Sequence, residues 1–294
     1  MLSRVAGNIY WMARYLERGE NTARLISVNS NLLLDLPKAK TPDFGWAPLI
    51  AIMGNGKLFY EQYKEPNERN VVKFMLGDTN NPSSVINSLA QAREMMRMLR
   101  DIVPVDSWEQ LNGLYLSVKN KVSSGITKHN RYDVLKQVIL GCQQIMGIAS
   151  GTMSRGDAYN FLRVGSYLER ADMTTRILDV RSANLLPKQE EETNVKLTPF
   201  DNIQWVSVLK SLTAYQEYRQ RVRLRVKGSD VLKFLLQDPL FPRAIVFCLS
   251  MAESYLNHLP KNDTPLRSIA HLQRQVHDHI AFTYFGVEAG ENAA

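Results

Sequence analysis

The tract Tyr-Leu-Glu-Arg occurs twice, at Tyr15 to Arg18 and at Tyr167 to Arg170, each time within a stretch whose apolar residues recur at helical spacing. Laying Tyr15 to Ser30 over Tyr167 to Ser182, an offset of 152, gives identities at eight of 16 positions. Glu20 over Asp172, Leu25 over Ile177 and Ile26 over Leu178 add conservative matches, and Asn8 lies over Asn160. At an offset of 160, Phe74, Leu76, Asp78, Pro82 and Leu89 lie over Phe234, Leu236, Asp238, Pro242 and Leu249, with Trp46 near the equivalent of Trp205. A period this long is too great for a solenoid and reads as an internal duplication whose copies pack about a pseudo-two-fold axis. The expected fold is therefore all-α: a helical bundle of two homologous halves, 1–150 and 151–294, packed as one compact unit.

Local patterns agree. Ile9, Met12, Leu16, Ala23 and Ile26 recur at threes, fours and sevens, and Pro82-Ser83-Ser84 opens a second long helical pattern through Arg100. No segment alternates convincingly as a strand. Loops are expected at Pro37 to Phe44, Asp78 to Pro82, Ser123 to Asn130, and Pro187 to Pro199 with its Glu190-Glu191-Glu192 run.

With 45% hydrophobic and 22% charged residues, the 294-residue chain has enough apolar content for a substantial core and is not of the disordered class. Its longest apolar runs fall far short of the roughly 18 to 20 residues of a membrane span. Arg14, Glu17 and Arg18 interrupt the segment where a signal peptide needs an apolar stretch, so export is not expected. Cys142 and Cys248 have neither thiolate-cage spacing nor enough partners for a disulfide framework, which fits a cytoplasmic protein. The net charge of +7 can steer acidic partners but does not by itself argue for nucleic acid.

On a helix Glu17, Asn21 and Arg24 share a stripe, and Glu20 and Arg24 form an i,i+4 pair that Asp172 and Arg176 reproduce in the second copy. Arg18 and Arg170 follow the two glutamates, and Arg14 and Arg163 are expected to add to a positive rim. Two readings stand side by side. The stripes line a crevice and offer arginine forks to a carboxylate or phosphate. Alternatively, Glu17 pairs with an arginine of the second copy and Glu169 with one of the first, so that the charges serve only to fix two helices. The copies are not equivalent, since Met173 replaces Asn21 and Ser166 replaces Arg14; the first copy is the more polar.

The opening Met-Leu-Ser-Arg-Val-Ala, Asn8, Tyr10-Trp11, Arg14-Tyr-Leu-Glu-Arg18 and Glu20-Asn-Thr-Ala-Arg24 resemble the bacterial alpha-E family, named for its helices and its Glu-Arg motif. Asn81-Pro-Ser-Ser84, Gly151-Thr-Met153, Tyr167-Leu-Glu-Arg170, Gln204-Trp205 and Phe241-Pro-Arg243 extend the resemblance over nearly the whole chain. Gly7 and Gly19 depart from the glutamate and alanine expected there, Gly19 being expected to loosen its helix, and the chain stops soon after His279. The resemblance implies an all-helical partner of a circularly permuted ATP-grasp ligase, often near a transglutaminase-like protein or a proteasome-like peptidase. It implies an accessory role in amide-bond formation on a peptide or amino acid, with ATP and Mg held by the ligase and no cofactor here. The rival reading is an enzyme with Glu17 or Glu169 as acid or base and Arg18, Arg24, Arg170 or Arg176 as anion clamp.

Other signals read structurally. Arg219, Arg221, Arg223, Arg225 and Lys227 are expected to end a helix that begins near Trp205 and is capped by Gly228, with docking to an acidic protein surface or a nucleic-acid adaptor as the alternatives. His271, His277, Asp278 and His279 lack metal-ligand spacing, and Gly54-Asn-Gly-Lys57 is a helix-ending turn rather than a phosphate loop. The cluster Met95, Met96 and Met98 is expected in the core, with a partner-helix groove as the alternative.

Overall fold

The computed structural model describes residues 1–35, 45–185, 199–222 and 226–285, with side-chain surroundings left aside at the helix ends 34–35, 183–185, 199–201 and 278–285. The loops expected at 37–44 and 187–199 lie almost wholly outside these residues. All regular structure among the described residues is helical: thirteen α-helices and one π-helical turn. No described helix is long and apolar enough to cross a membrane.

Two long helices carry the repeated tracts, α1 (Ser3–Asp35) and α8 (Asp157–Leu185), and they pack against each other as the central pair. At about 1.5 Å per residue α1 is roughly 50 Å long. Ile9, Met12, Ala13, Leu16, Ala23 and Ile26, the stripe anticipated from spacing, are all buried. Each large side chain among them contributes about 1.5–3 kcal/mol of burial. Around the pair, α5 (Val85–Arg97) lies on α1 and α12 (Ile245–Leu256) on α8. The helices α6 (Val105–Ser124) and α13 (Asp263–Phe285) then cover α5 and α12 respectively, and α7 (Lys128–Thr152) packs on α1 and α6.

The short helices that follow cross over. Helix α2 (Ala47–Met53), downstream of α1, packs on α8, whereas α9 (Pro199–Ser211), downstream of α8, packs on α1. Buried apolar residues from both ends of the chain consequently form one cluster. Helix α2 stops at Gly54, whose φ of 70° suits glycine, and the chain after α9 reverses at Thr213 with a φ of 54°. A β-branched residue in that region is strained.

Two further turns are built alike. Asp78 Oδ1 accepts from the Asn80 N–H at 2.9 Å, and Asp238 Oδ1 accepts from the Leu240 N–H at 2.9 Å and the Phe241 N–H at 2.7 Å. Each carboxylate substitutes for a backbone acceptor and turns the chain into Pro82 or Pro242. Ser84 then caps α5, accepting from the Asn87 N–H.

Several expectations change. The segment Ser123 to Asn130 is mostly helical, because Thr127 and Asn130 form a reciprocal capping box that starts α7 at Lys128. Helix α1 runs unbroken through Gly19, where an added Cβ would meet Ser88 Cβ at 3.6 Å, an ordinary contact with α5. The pattern from Pro82 stops at Arg97. Helix α10 (Tyr215–Arg221) is separate from α9, and Gly228 opens α11 (Gly228–Gln237) instead of closing the cationic helix. The indole of Trp205 lies 2.8 Å from where a Gly228 Cβ would be, so packing, not capping, requires the glycine.

Candidate functional site at the crossing of the two long helices

The main chains of α1 and α8 approach closely at Gly165. A Cβ on Gly165 would lie 2.4 Å from the Tyr10 carbonyl oxygen and 3.3 Å from Ala13 Cβ. Small residues on facing helices bring the axes close enough for side chains one turn further along to reach across. Those side chains are the repeated Glu-Arg pairs.

Glu169, 1% exposed, accepts from Arg18 Nε at 2.6 Å, from Arg14 Nε at 2.6 Å and from Arg18 Nη2 at 3.0 Å. Glu17, 2% exposed, accepts from Ser166 Oγ at 2.8 Å and from the Arg170 guanidinium through Nη2 and, at 3.4 Å, Nε. The acids of the two tracts thus receive arginines from the opposite helix. Burial pushes the Glu17 carboxyl up, but the charges of Arg170 and Arg243 and the bonds from Arg170 and Ser166 outweigh it and hold the pKa at about 2. Arg170 is affected in the opposite sense: burial lowers its pKa, and Glu17 raises it above the ordinary value.

A crevice opens on each side of this seam. The first, about 390 Å³, is lined by Glu17, Glu20, Gln143, Arg170, Thr213, Glu217 and Arg243 among others. Glu20 Oε1 accepts from Arg24 Nη2 at 2.7 Å, Gln143 Nε2 at 3.0 Å and Arg243 Nη2 at 3.1 Å, while Arg243 Nη1 donates to Asn21 Oδ1 at 2.7 Å. Arg243 is buried, and burial lowers its pKa against the opposing pull of Glu17 and Glu20. The second crevice, about 270 Å³, is bounded by Arg18, Glu169, Asp172, Arg176, Gly54, Asn55 and Ser83, with Arg176 Nε on Asp172 Oδ2 at 3.0 Å.

The structure therefore brings Arg14, Glu17, Arg18, Glu20, Asn21, Arg24, Glu169, Arg170, Asp172 and Arg176 to one seam. It separates Arg163 from them. That guanidinium donates to Tyr167 Oη at 2.6 Å and lies over the rings of Tyr159, Tyr167 and Tyr255, aimed at α12 rather than α1. The tyrosines four residues before and after Arg163 are the sequence signal for this cage. Arg243, Gln143 and Ser166 were not singled out as site residues from the sequence. Only the Phe241-Pro-Arg243 tract hinted at the first.

The remaining candidates lie elsewhere. Arg221 pairs with Asp238 at 2.7 Å and Arg219 lies over Tyr215, while Arg223 and Arg225 are outside the described residues. Met96 is core, but Met98 is 53% exposed. Among the described residues no group of three or more His, Cys, Asp or Glu is placed to hold a metal; Asp278 and His279 belong to the side chains left aside. Cys142 and Cys248 are buried thiols whose pKa values burial raises, to about 12 for Cys248. Neither thiol is an activated nucleophile, and the seam itself offers fixed charges and forked donors.

An all-helical chain clasped by reciprocal Glu-Arg pairs on two long helices is the class these features define. The chain belongs to the Alpha-E family, described as a predicted alpha-helical domain with a conserved ER motif, which matches residues 1–287. Uncharacterized proteins of Mycobacterium bovis and Mycobacterium tuberculosis are 22% identical over 273 residues. The match covers 87% of this chain but 30% of each relative, so the chain spans under a third of their length. No solved structure matches.

Proposed function

We propose that the chain is a non-catalytic accessory module of an ATP-grasp amide-ligase system, docking the ligase or orienting its peptide or amino-acid substrate. The observation that carries this reading is the mutual neutralisation of Glu17 and Glu169 by arginines of the opposite helix. With its pKa held at about 2, Glu17 is a poor proton donor or acceptor near neutrality and suits a rigid support better than acid-base chemistry. The mycobacterial relatives support a module that works joined to, or beside, another protein, since the matched region is a minor part of each.

The partner on this reading is a circularly permuted ATP-grasp ligase holding ATP and Mg, in the cytoplasm, with a transglutaminase-like or proteasome-like protein as a further associate. The internal duplication belongs to the same proposal. It is supported by the exchanged ion pairs, the two Asx turns at Asp78 and Asp238, and the left-handed turns at Gly54 and Thr213. Co-expression with the genome-neighbouring ligase and sizing chromatography at micromolar concentration test the association. Co-migration is expected; separate migration, with no ligase rate change on adding this chain, refutes it. Glu17→Gln with Glu169→Gln tests the acid-base rival: folded double-variant protein that still binds ligase but loses all output would favour chemistry.

A further inference from the structure

The two crevices beside the α1–α8 seam differ in charge balance. The larger is lined by Arg170 and Arg243 against Glu17, Glu20 and Glu217, two cations for three anions. The smaller is lined by Arg18 and Arg176 against Glu169 and Asp172, two for two, and Glu169 is paired with Arg14 as well, outside the lining. The turns before α5 and α12 contribute differently: Pro242 is followed by Arg243, a cation already committed to Glu20 and Asn21, whereas Pro82 is followed by the uncharged Ser83.

We infer that the smaller crevice is an oxyanion-binding site, taking a carboxylate or phosphate group of a small ligand. Arg176 commits Nε to Asp172 and Arg18 commits Nε and Nη2 to Glu169. Arg176 Nη1 and Nη2 and Arg18 Nη1 therefore remain as donors beside the Ser83 hydroxyl. Two guanidinium groups fixed by carboxylates are pre-organised, so little side-chain entropy is lost when they grip an anion. Gly54 contributes room: its left-handed backbone lies so close that an added Cβ would sit 3.1 Å from Arg176 Nη1. A volume of about 270 Å³ is below that of a drug-sized pocket and suits a small anion or the end of a longer molecule. The inference concerns the chain alone and does not depend on a ligase.

The test is a low-salt titration of the full chain, followed through arginine side-chain NMR resonances, with inorganic phosphate in one arm and glutarate in the other. Saturable shifts of Arg18 and Arg176, with the exposed Arg219 unmoved, are expected in at least one arm, and the tighter arm identifies the group. Arg176→Gln, at a side chain 45% exposed, is expected to weaken binding about tenfold. Ser83→Asp, which adds a negative charge at the rim, is expected to weaken it as much, and Asp172→Asn to leave it equal or tighter. Absence of saturation in both arms, parallel shifts at Arg219, or unchanged affinity in the folded Arg176→Gln and Ser83→Asp proteins would each overturn the inference.

Discussion

Arg18 donates through Nε and Nη2 to the two oxygens of Glu169, 151 residues away, and Arg170 meets Glu17 from the opposite helix in the same fashion. These pairs are buried at their acidic ends, so removing one partner leaves charge without compensation. Glu169→Ala is expected to cost about 3–5 kcal/mol, because it orphans Arg14 and Arg18 together. Arg18→Met alone is expected to cost less, since Arg14 still reaches Glu169. A double-mutant cycle of Arg18→Met and Glu169→Gln by urea unfolding should return a coupling of about 1–3 kcal/mol. Additive effects would mean that the pair contributes nothing of its own.

Acid should weaken the Glu17 side of the clasp. A carboxyl whose folded pKa is depressed to about 2 from an ordinary 4.5 binds its proton less readily folded than unfolded. Its contribution, on the order of 3 kcal/mol, is present above the unfolded value and is lost as pH falls through 4.5 towards 2. The gap in unfolding free energy between the natural chain and Glu17→Gln should therefore be largest near neutrality and shrink in acid. A gap that is flat with pH would show that Glu17 is not held ionised.

The i,i+4 pairs Glu20 with Arg24 and Asp172 with Arg176 were legible in the sequence because helix geometry alone places them. So was the buried stripe of α1. The exchange of partners between Glu17 and Glu169 was one of two readings the sequence left open, and deciding for it needed the close approach at Gly165, which is not encoded in either helix separately. Arg243 reaches Glu20 across 223 positions, a contact no local pattern announces. Arg163 was misplaced by analogy with Arg14. The repeat register sets Ser166, not Arg163, opposite Arg14, and the neighbouring tyrosines capture the arginine.

Glycine substitutions separate a crossing from a propensity effect. Gly165→Ala drives a Cβ to within 2.4 Å of the Tyr10 carbonyl, which is backbone and cannot rotate away. The helices must separate, at an expected cost of about 3 kcal/mol or more. Gly113 lies within α6 with nothing within 4 Å of an added Cβ, so Gly113→Ala should stabilise by about 0.5–1 kcal/mol. Thermal unfolding of the two variants should move in opposite directions. Equal and small shifts would mean that the α1–α8 approach at Gly165 is looser than its geometry implies.

Arg181 presents the reverse of the Glu169 problem. It is 6% exposed on α8, and it reaches neutral Asn29, from Nη2 to Oδ1, at the long distance of 3.5 Å. Burial lowers its pKa to about 10, and among the described residues no carboxylate opposes it. The folded state therefore binds this proton less firmly than the unfolded chain does, and below pH 10 the charged side chain is a net cost to folding. Arg181→Met keeps much of the stem and removes the charge, so it should stabilise by about 1–3 kcal/mol. Asn29 then loses only a weak bond. Urea unfolding near neutrality decides the matter. A destabilised Arg181→Met protein would mean that the guanidinium is better satisfied in solution than its burial and long contact to Asn29 indicate.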